Sequence, residues 1–227
     1  RRPRLMARSS VSYVCQQCGS TFPKWAGKCD DCGAWNTLVE ERKGAPAGPG
    51  KRAHGRQITL EPLQSASTAK PLPRMRSDIS EFDRVAGGGL VPGSVVLIGG
   101  NPGAGKSTLL LQIMCQLADS GRPALYVTGE ESLQQVGMRA NRLNLPTDNL
   151  KMLAETNVEQ ISRAAEEHKP ELLVVDSIQV MHSADVPSAP GSVSQVRECA
   201  AYLIQYAKQT NTVLFLVGHV TKEGNLA

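Results

Sequence analysis

The sequence predicts an α/β protein with a mainly parallel sheet, preceded by a small module built on four cysteines. Three observations carry that expectation. Short aliphatic runs alternate with helical stretches from residue 74 onward. A glycine-rich phosphate-loop pattern joins the first run to the first long helix. Four of the six cysteines crowd into residues 15–32.

Composition sets the outer bounds. A chain of 227 residues holds one large or two small domains. At 41% hydrophobic and 20% charged, it can pack a core and is unlike a disordered chain. No run of about 18 apolar residues is present, which excludes a membrane-spanning helix. The basic N-terminal residues precede no apolar stretch, so no secretory signal is expected and the predicted location is cytoplasmic. Aromatics are only 4%, so platforms for stacking bases are expected to be scarce.

Four regions follow: a basic tail (1–10), the cysteine module (11–40), a basic flexible linker rich in Gly, Pro, Ala and Lys (41–73), and the α/β core (74–227). Charge is uneven along them. Eight basic residues lie from Arg42 to Arg76 against Glu61 alone, so the rest of the chain is net acidic although the whole is +4. That stretch is either a phosphate-contacting segment or a solvated linker.

In the module, Cys15 and Cys18 form one C-x2-C pair, and Cys29 and Cys32 form the other, ten residues on. Two intervening residues let one tight turn aim both sulfurs at one ion. Gly19 and Gly33 follow the pairs and permit the positive φ such a turn needs. Four thiolates favour a closed, structural Zn2+ site, whose binding would supply the folding energy a 30-residue module lacks. A pair of disulfides or an iron centre fits the same spacing. Cys115 and Cys199 stand alone in apolar helical patterns and are expected in the core.

The core begins with four aliphatic runs, Val95–Ile98, Leu125–Thr128, Leu172–Asp176 and Val213–Val217, each expected to be a strand buried on both faces. Helices are expected over Lys106–Ser120, ending at Gly121, and over Gln195–Gln209, with Val196, Cys199, Ala200, Leu203 and Ala207 on one face.

Between the first strand and helix, Gly100-Asn101-Pro102-Gly103-Ala104-Gly105-Lys106-Ser107 fits G-x4-G-K-[ST], and Thr108 follows. Glycines let backbone N–H groups wrap the phosphates of ATP, and the helix N-terminus adds positive dipole. Lys106 is expected at the β- and γ-phosphates, and the Ser107 hydroxyl on Mg2+. Asp176 ends the third strand, where a carboxylate holds the same Mg2+ through water. Glu130 and Glu131 follow the second strand in TGEES. One of them is placed to polarise a water for attack on the γ-phosphate, and the other to cap the helix near Ser132; the assignment stays open between them. Gln179 is either a γ-phosphate sensor or a polar loop residue. His219, ending the fourth strand, either reads nucleotide state or touches nucleic acid. His182 opens a loop and stays unassigned; His168, late in a helix, is expected to be solvated. Residues 182–194 form a Pro/Ser/Gly stretch that either lines a nucleic-acid channel or is a disordered surface loop.

Together these motifs resemble the bacterial RadA (Sms) family of DNA repair proteins over nearly the whole chain. Tyr13 to Trp35-Asn36, with Lys24-Trp25-Ala26-Gly27-Lys28-Cys29, is similar to its zinc finger. The segment from Asp83 to Ser94, TGEES, VVDSIQ and VGHVTKEG are similar to its ATPase. The resemblance implies a RecA-like fold and an ATP-driven, DNA-dependent motor on single-stranded or branched recombination DNA, with helicase or translocase action. It also implies a homo-hexamer, a recombinase partner, and loops near 182–196 and 219–227 facing DNA. Family members continue into a Lys-Asn-Arg-Phe-Gly motif and a Lon-protease-like domain, neither of which residues 1–227 contain. In such sheets the phosphate-loop strand lies between the fourth strand and later ones, so here Val95–Ile98 is expected at an exposed edge. The competing function is a nucleotide-switch adaptor whose zinc module docks a protein partner without motor activity.

Overall fold

The computed structural model describes residues 11–42 and 73–219. The tail 1–10 and nearly all of the linker lie outside the described residues, as does the segment from 220 on. The chain divides into two compact units at Leu72/Pro73.

The first unit is a three-stranded antiparallel sheet in the order β2-β1-β3, from β1 (Val11–Cys15), β2 (Thr21–Phe22) and β3 (Leu38–Arg42). Its core is tiny: Cys15, Cys29 and Leu38 are buried, with Tyr13, Phe22 and Ala26 packed around them. Two of those three central residues are cysteines, so sulfur chemistry stands where a larger domain would place aliphatic side chains.

The second unit is a five-stranded parallel sheet in the order β4-β8-β7-β5-β6. Its strands are β4 (Val95–Gly100), β5 (Ala124–Thr128), β6 (Leu150–Ala154), β7 (Leu172–Asp176) and β8 (Val213–His219). Its helices are α1 (Ser80–Val85), α2 (Lys106–Asp119), α3 (Leu133–Arg142), α4 (Val158–His168) and α5 (Val193–Thr210). Strand alternation splits the core into two layers. Tyr126, Leu172, Val174, Val213, Phe215 and Val217 face α2 and α3. Leu125, Val127, Leu173, Val175, Leu214 and Leu216 face α4 and α5. Cys115 and Cys199 are fully buried in these two layers, as their patterns require, and burial pushes each thiol up to about 11.

β5, β7 and nearly all of β8 are buried on both faces. β4 is not. Among the described residues it pairs with β8 alone, and Leu97 is 52% exposed. The expectation of two-sided burial fails there because an aliphatic run does not reveal whether a strand has one neighbour or two. Among the described residues, β4 is the exposed edge that the resemblance implies. β6, unforeseen, reads LKMLA: a lysine interrupts the apolar run of a half-exposed edge strand. His168, expected in solvent, is half-buried at the end of α4.

The 182–192 loop is ordered. Gln195, buried in the first turn of α5, donates from Nε2 to the carbonyls of Ser183, Val186 and Ser188, and its Oε1 accepts from Ser183 N–H. A single amide thus satisfies four backbone groups of the loop, which removes the disordered alternative. His182 joins the loop to the start of α4: Val158 N–H donates to His182 O, and His182 N–H to Thr156 O.

Candidate nucleotide-binding site and metal centre

Because the strands are parallel, their C-terminal ends gather along one edge of the sheet. Open α/β sheets bind ligands there. A cleft of about 300 Å³ lies at this edge, lined by phosphate-loop residues, Glu130 and Glu131 after β5, Asp176 of β7 and His219 of β8.

The loop itself leaves β4 at Gly100 and enters α2 at Lys106. Gly103 has φ 78° and Gly105 φ 86°, and a Cβ at either would meet nothing within 4 Å. These glycines serve backbone conformation rather than crowding. Gly105 is the N-cap of α2 without a side-chain cap, so the first N–H groups of the helix are left for a ligand. Pro102, Ser107 and Thr108 line the cleft with them. Lys106 is buried, and its Nζ donates to Gly100 O at 2.7 Å and Asn101 O at 2.8 Å, which holds the ammonium against the loop.

The turn after β5 closes on itself: Glu131 N–H donates to Thr128 Oγ1, whose hydroxyl donates to Glu131 O. Gly129 is obligatory there, since a Cβ would stand 2.5 Å from Val180 Cγ2. The two glutamates then diverge. Glu131 forms an ion pair with Arg139 of α3. Glu130 accepts from Ser177 Oγ and lies 3.2 Å from His219 Nε2. Neither caps α3. Ser132 does, through a capping box in which Ser132 Oγ accepts from Gln135 N–H and Gln135 Oε1 accepts from Ser132 N–H.

Asp176 is buried at the end of β7 and accepts from Tyr126 Oη at 2.6 Å. Burial first, and then the Asp176 charge, push the Tyr126 hydroxyl far above its ordinary pKa, so it remains a donor. Gln179 stands apart from the cleft lining; it sits in a 3-10 turn and donates from Nε2 to His219 O at 3.2 Å. Arg139, Ser177 and Tyr126 were not foreseen as site residues. No motif marks them: Arg139 reaches Glu131 from the helix that follows the turn, and Ser177 and Tyr126 meet their carboxylates across the β5–β7 pairing.

In the first unit the four sulfurs lie within 4.8 Å of one another, with Cys15–Cys32 and Cys18–Cys29 at 3.6 Å. Disulfides need about 2.0 Å. Tetrahedral ligands at about 2.3 Å from a metal stand about 3.8 Å apart, which fits. Two like turns set this up: Gly19 N–H donates to Cys15 O and Gly33 N–H to Cys29 O, each at 2.8 Å, with both glycines at positive φ. The thiols differ electrostatically. Burial opposes the Cys15 thiolate, but the Thr37 hydroxyl and the backbone N–H groups of Cys18 and Gln17 outweigh it and bring the thiol down to about 6. At Cys32 a backbone hydrogen bond at Ala34 favours the thiolate, but desolvation and the three neighbouring thiols push it up to about 12. A cation among the four sulfurs favours the thiolate form of its ligands.

Residues 73–225 match the family model described as the AAA domain. The chain belongs to the AAA domain family. Residues 13–40 match the model described as the rubredoxin metal binding domain. Thus an AAA ATPase domain follows a four-cysteine zinc ribbon. The chain is also similar to three proteins named DNA repair protein RadA. That of Pseudomonas aeruginosa is 57% identical, over 98% of this chain and 49% of its own length. That of Escherichia coli is 55% identical, over 95% and 48%. That of Bacillus subtilis is 51% identical, over 98% and 49%. The AAA chain thus spans about half the length of these relatives. Among its described residues, no helix is long and apolar enough to cross a membrane.

Proposed function

We propose that this chain is the ATP-hydrolysing and zinc-ribbon part of a cytoplasmic DNA repair protein, turning over ATP to process recombination intermediates on single-stranded or branched DNA. One observation carries the enzymatic half. Lys106, Asp176 and Glu130 meet in a single cleft at the C-terminal edge of a parallel sheet. The names of the relatives support the DNA half.

In this reading the N–H groups of the 100–107 loop and the start of α2 receive the phosphates of ATP. Lys106 exchanges its two backbone carbonyls for β- and γ-phosphate oxygens. Ser107 and Asp176 would hold Mg2+, which would supply neutralisation of the charge developing on the phosphates. Tyr126, donating to Asp176, keeps that carboxylate aimed. Glu130 is the base that orients water, since Glu131 is committed to Arg139. Gln179 reads the nucleotide indirectly, through the His219 carbonyl at the end of β8. A hexamer, a recombinase partner and translocation are the further parts of this reading.

The test is ATP turnover by the purified chain with and without single-stranded DNA, beside Lys106→Ala. We expect turnover raised by DNA and lost in Lys106→Ala by a factor of about 100 or more. ATP binding without any turnover would overturn this reading in favour of a nucleotide-switch adaptor.

A further inference from the structure

Both tryptophans of the chain lie in the zinc ribbon, and both are exposed: Trp25 by 58% and Trp35 by 70%. Indoles ordinarily bury most of their area, so two open ones in a 30-residue module mark a contact surface. Backbone pairing holds them together. Lys28 bridges Trp35 in antiparallel register, Asn36 N–H donates to Gly27 O at 2.8 Å, and Cys29 N–H donates to Ala34 O at 2.8 Å. The rings flank Gly27: a Cβ there would stand 3.9 Å from Trp25 Cη2 and 3.9 Å from Trp35 Cζ3. Lys28 Nζ lies 5.8 Å from the Trp35 ring centroid, and Lys24, also exposed, precedes Trp25.

We propose that this strip binds unstacked bases of single-stranded DNA, with Trp25 and Trp35 as stacking faces and Lys24 and Lys28 on the flanking phosphates. Charge and shape select that occupant. Flat π faces beside ammonium groups complement a nucleobase joined to a phosphate, whereas a duplex keeps its bases stacked inside. An apolar protein anchor needs a concave pocket, whereas here Gly27 lies between the indoles and Lys28 beside Trp35. The low aromatic content therefore misleads: the few aromatics include two indoles gathered at one spot. Asp30 and Asp31 lie on the second cysteine turn, so phosphate contacts are few and stacking dominates.

Because Trp25 and Trp35 are the sole tryptophans, the emission of the whole zinc-loaded chain reports this strip directly. Titration with dodecathymidylate should quench it saturably. The log–log salt slope should be near −1.4, about −0.7 for each of two phosphates. Trp25→Ala or Trp35→Ala should weaken binding about tenfold at unchanged zinc content, whereas the phenylalanine variants should retain most of it. Gly27→Val, which fills the space between intact rings, should also weaken it. The proposal is overturned by unchanged emission on addition of the oligonucleotide, whether or not labelled oligonucleotide binds the chain elsewhere. It is equally overturned by equal quenching with a duplex, or by undiminished affinity in the zinc-replete double alanine variant. The proposal shares with the ATPase reading only DNA as partner. Lys106→Ala should titrate like the parent chain, so a failure of either is distinguishable from a failure of the other.

Discussion

Glu130 and Glu131 are neighbours in sequence and identical in chemistry, yet the structure gives them different partners. Thr128 folds the turn back, after which Arg139 takes Glu131, while Ser177 and His219 take Glu130. Glu130→Gln should therefore lower ATP turnover at least about 100-fold while leaving nucleotide binding nearly intact. Glu131→Gln should lower turnover less than tenfold and loosen α3, because it breaks the ion pair to a largely buried guanidinium. Steady-state turnover together with equilibrium ATP binding for both variants checks this, and a larger turnover loss in Glu131→Gln would reverse the assignment. The phosphate loop was legible at this scale because its chemistry lies in eight consecutive residues. Arg139 and Ser177 were not, because side chains 8 and 47 residues from their glutamates meet only when strands and helices are in place.

The elements show the same division. α2 and α5 were legible because apolar side chains recur at helical spacing. β6 was not, because a half-exposed edge strand carries a lysine in its run. The loop before α5 looked unstructured by composition, since Pro, Ser and Gly have little to bury. Gln195 orders it instead, and no local pattern shows that one glutamine faces inward. Gln195→Ala should destabilise the AAA unit by about 1–2 kcal/mol, since it removes the donor to three part-buried carbonyls. Amide exchange at Ser183 should rise more than in β7. Unchanged exchange there would mean that backbone geometry alone holds the loop.

Across the whole molecule, two units carry two separate cores, one aliphatic and one built on sulfur. Chelation of zinc should abolish the ordered structure of residues 11–42 and leave the thermal transition of the AAA unit in place. The pH dependence has a definite sign. With Cys32 pushed up to about 12 in the metal-free cluster, zinc must displace its proton at neutral pH, so zinc affinity should fall as pH falls. Competition with a chromogenic chelator across pH 6–8, roughly spanning neutrality, checks this, and a flat profile would contradict it. The sequence alone determined the fold class, the zinc ligands and the phosphate loop, because each depends on spacing along the chain. Tertiary structure alone decided which glutamate is tethered to His219, and that two scattered tryptophans share one surface. Those facts depend on sheet order and backbone pairing between distant segments, which local spacing does not encode.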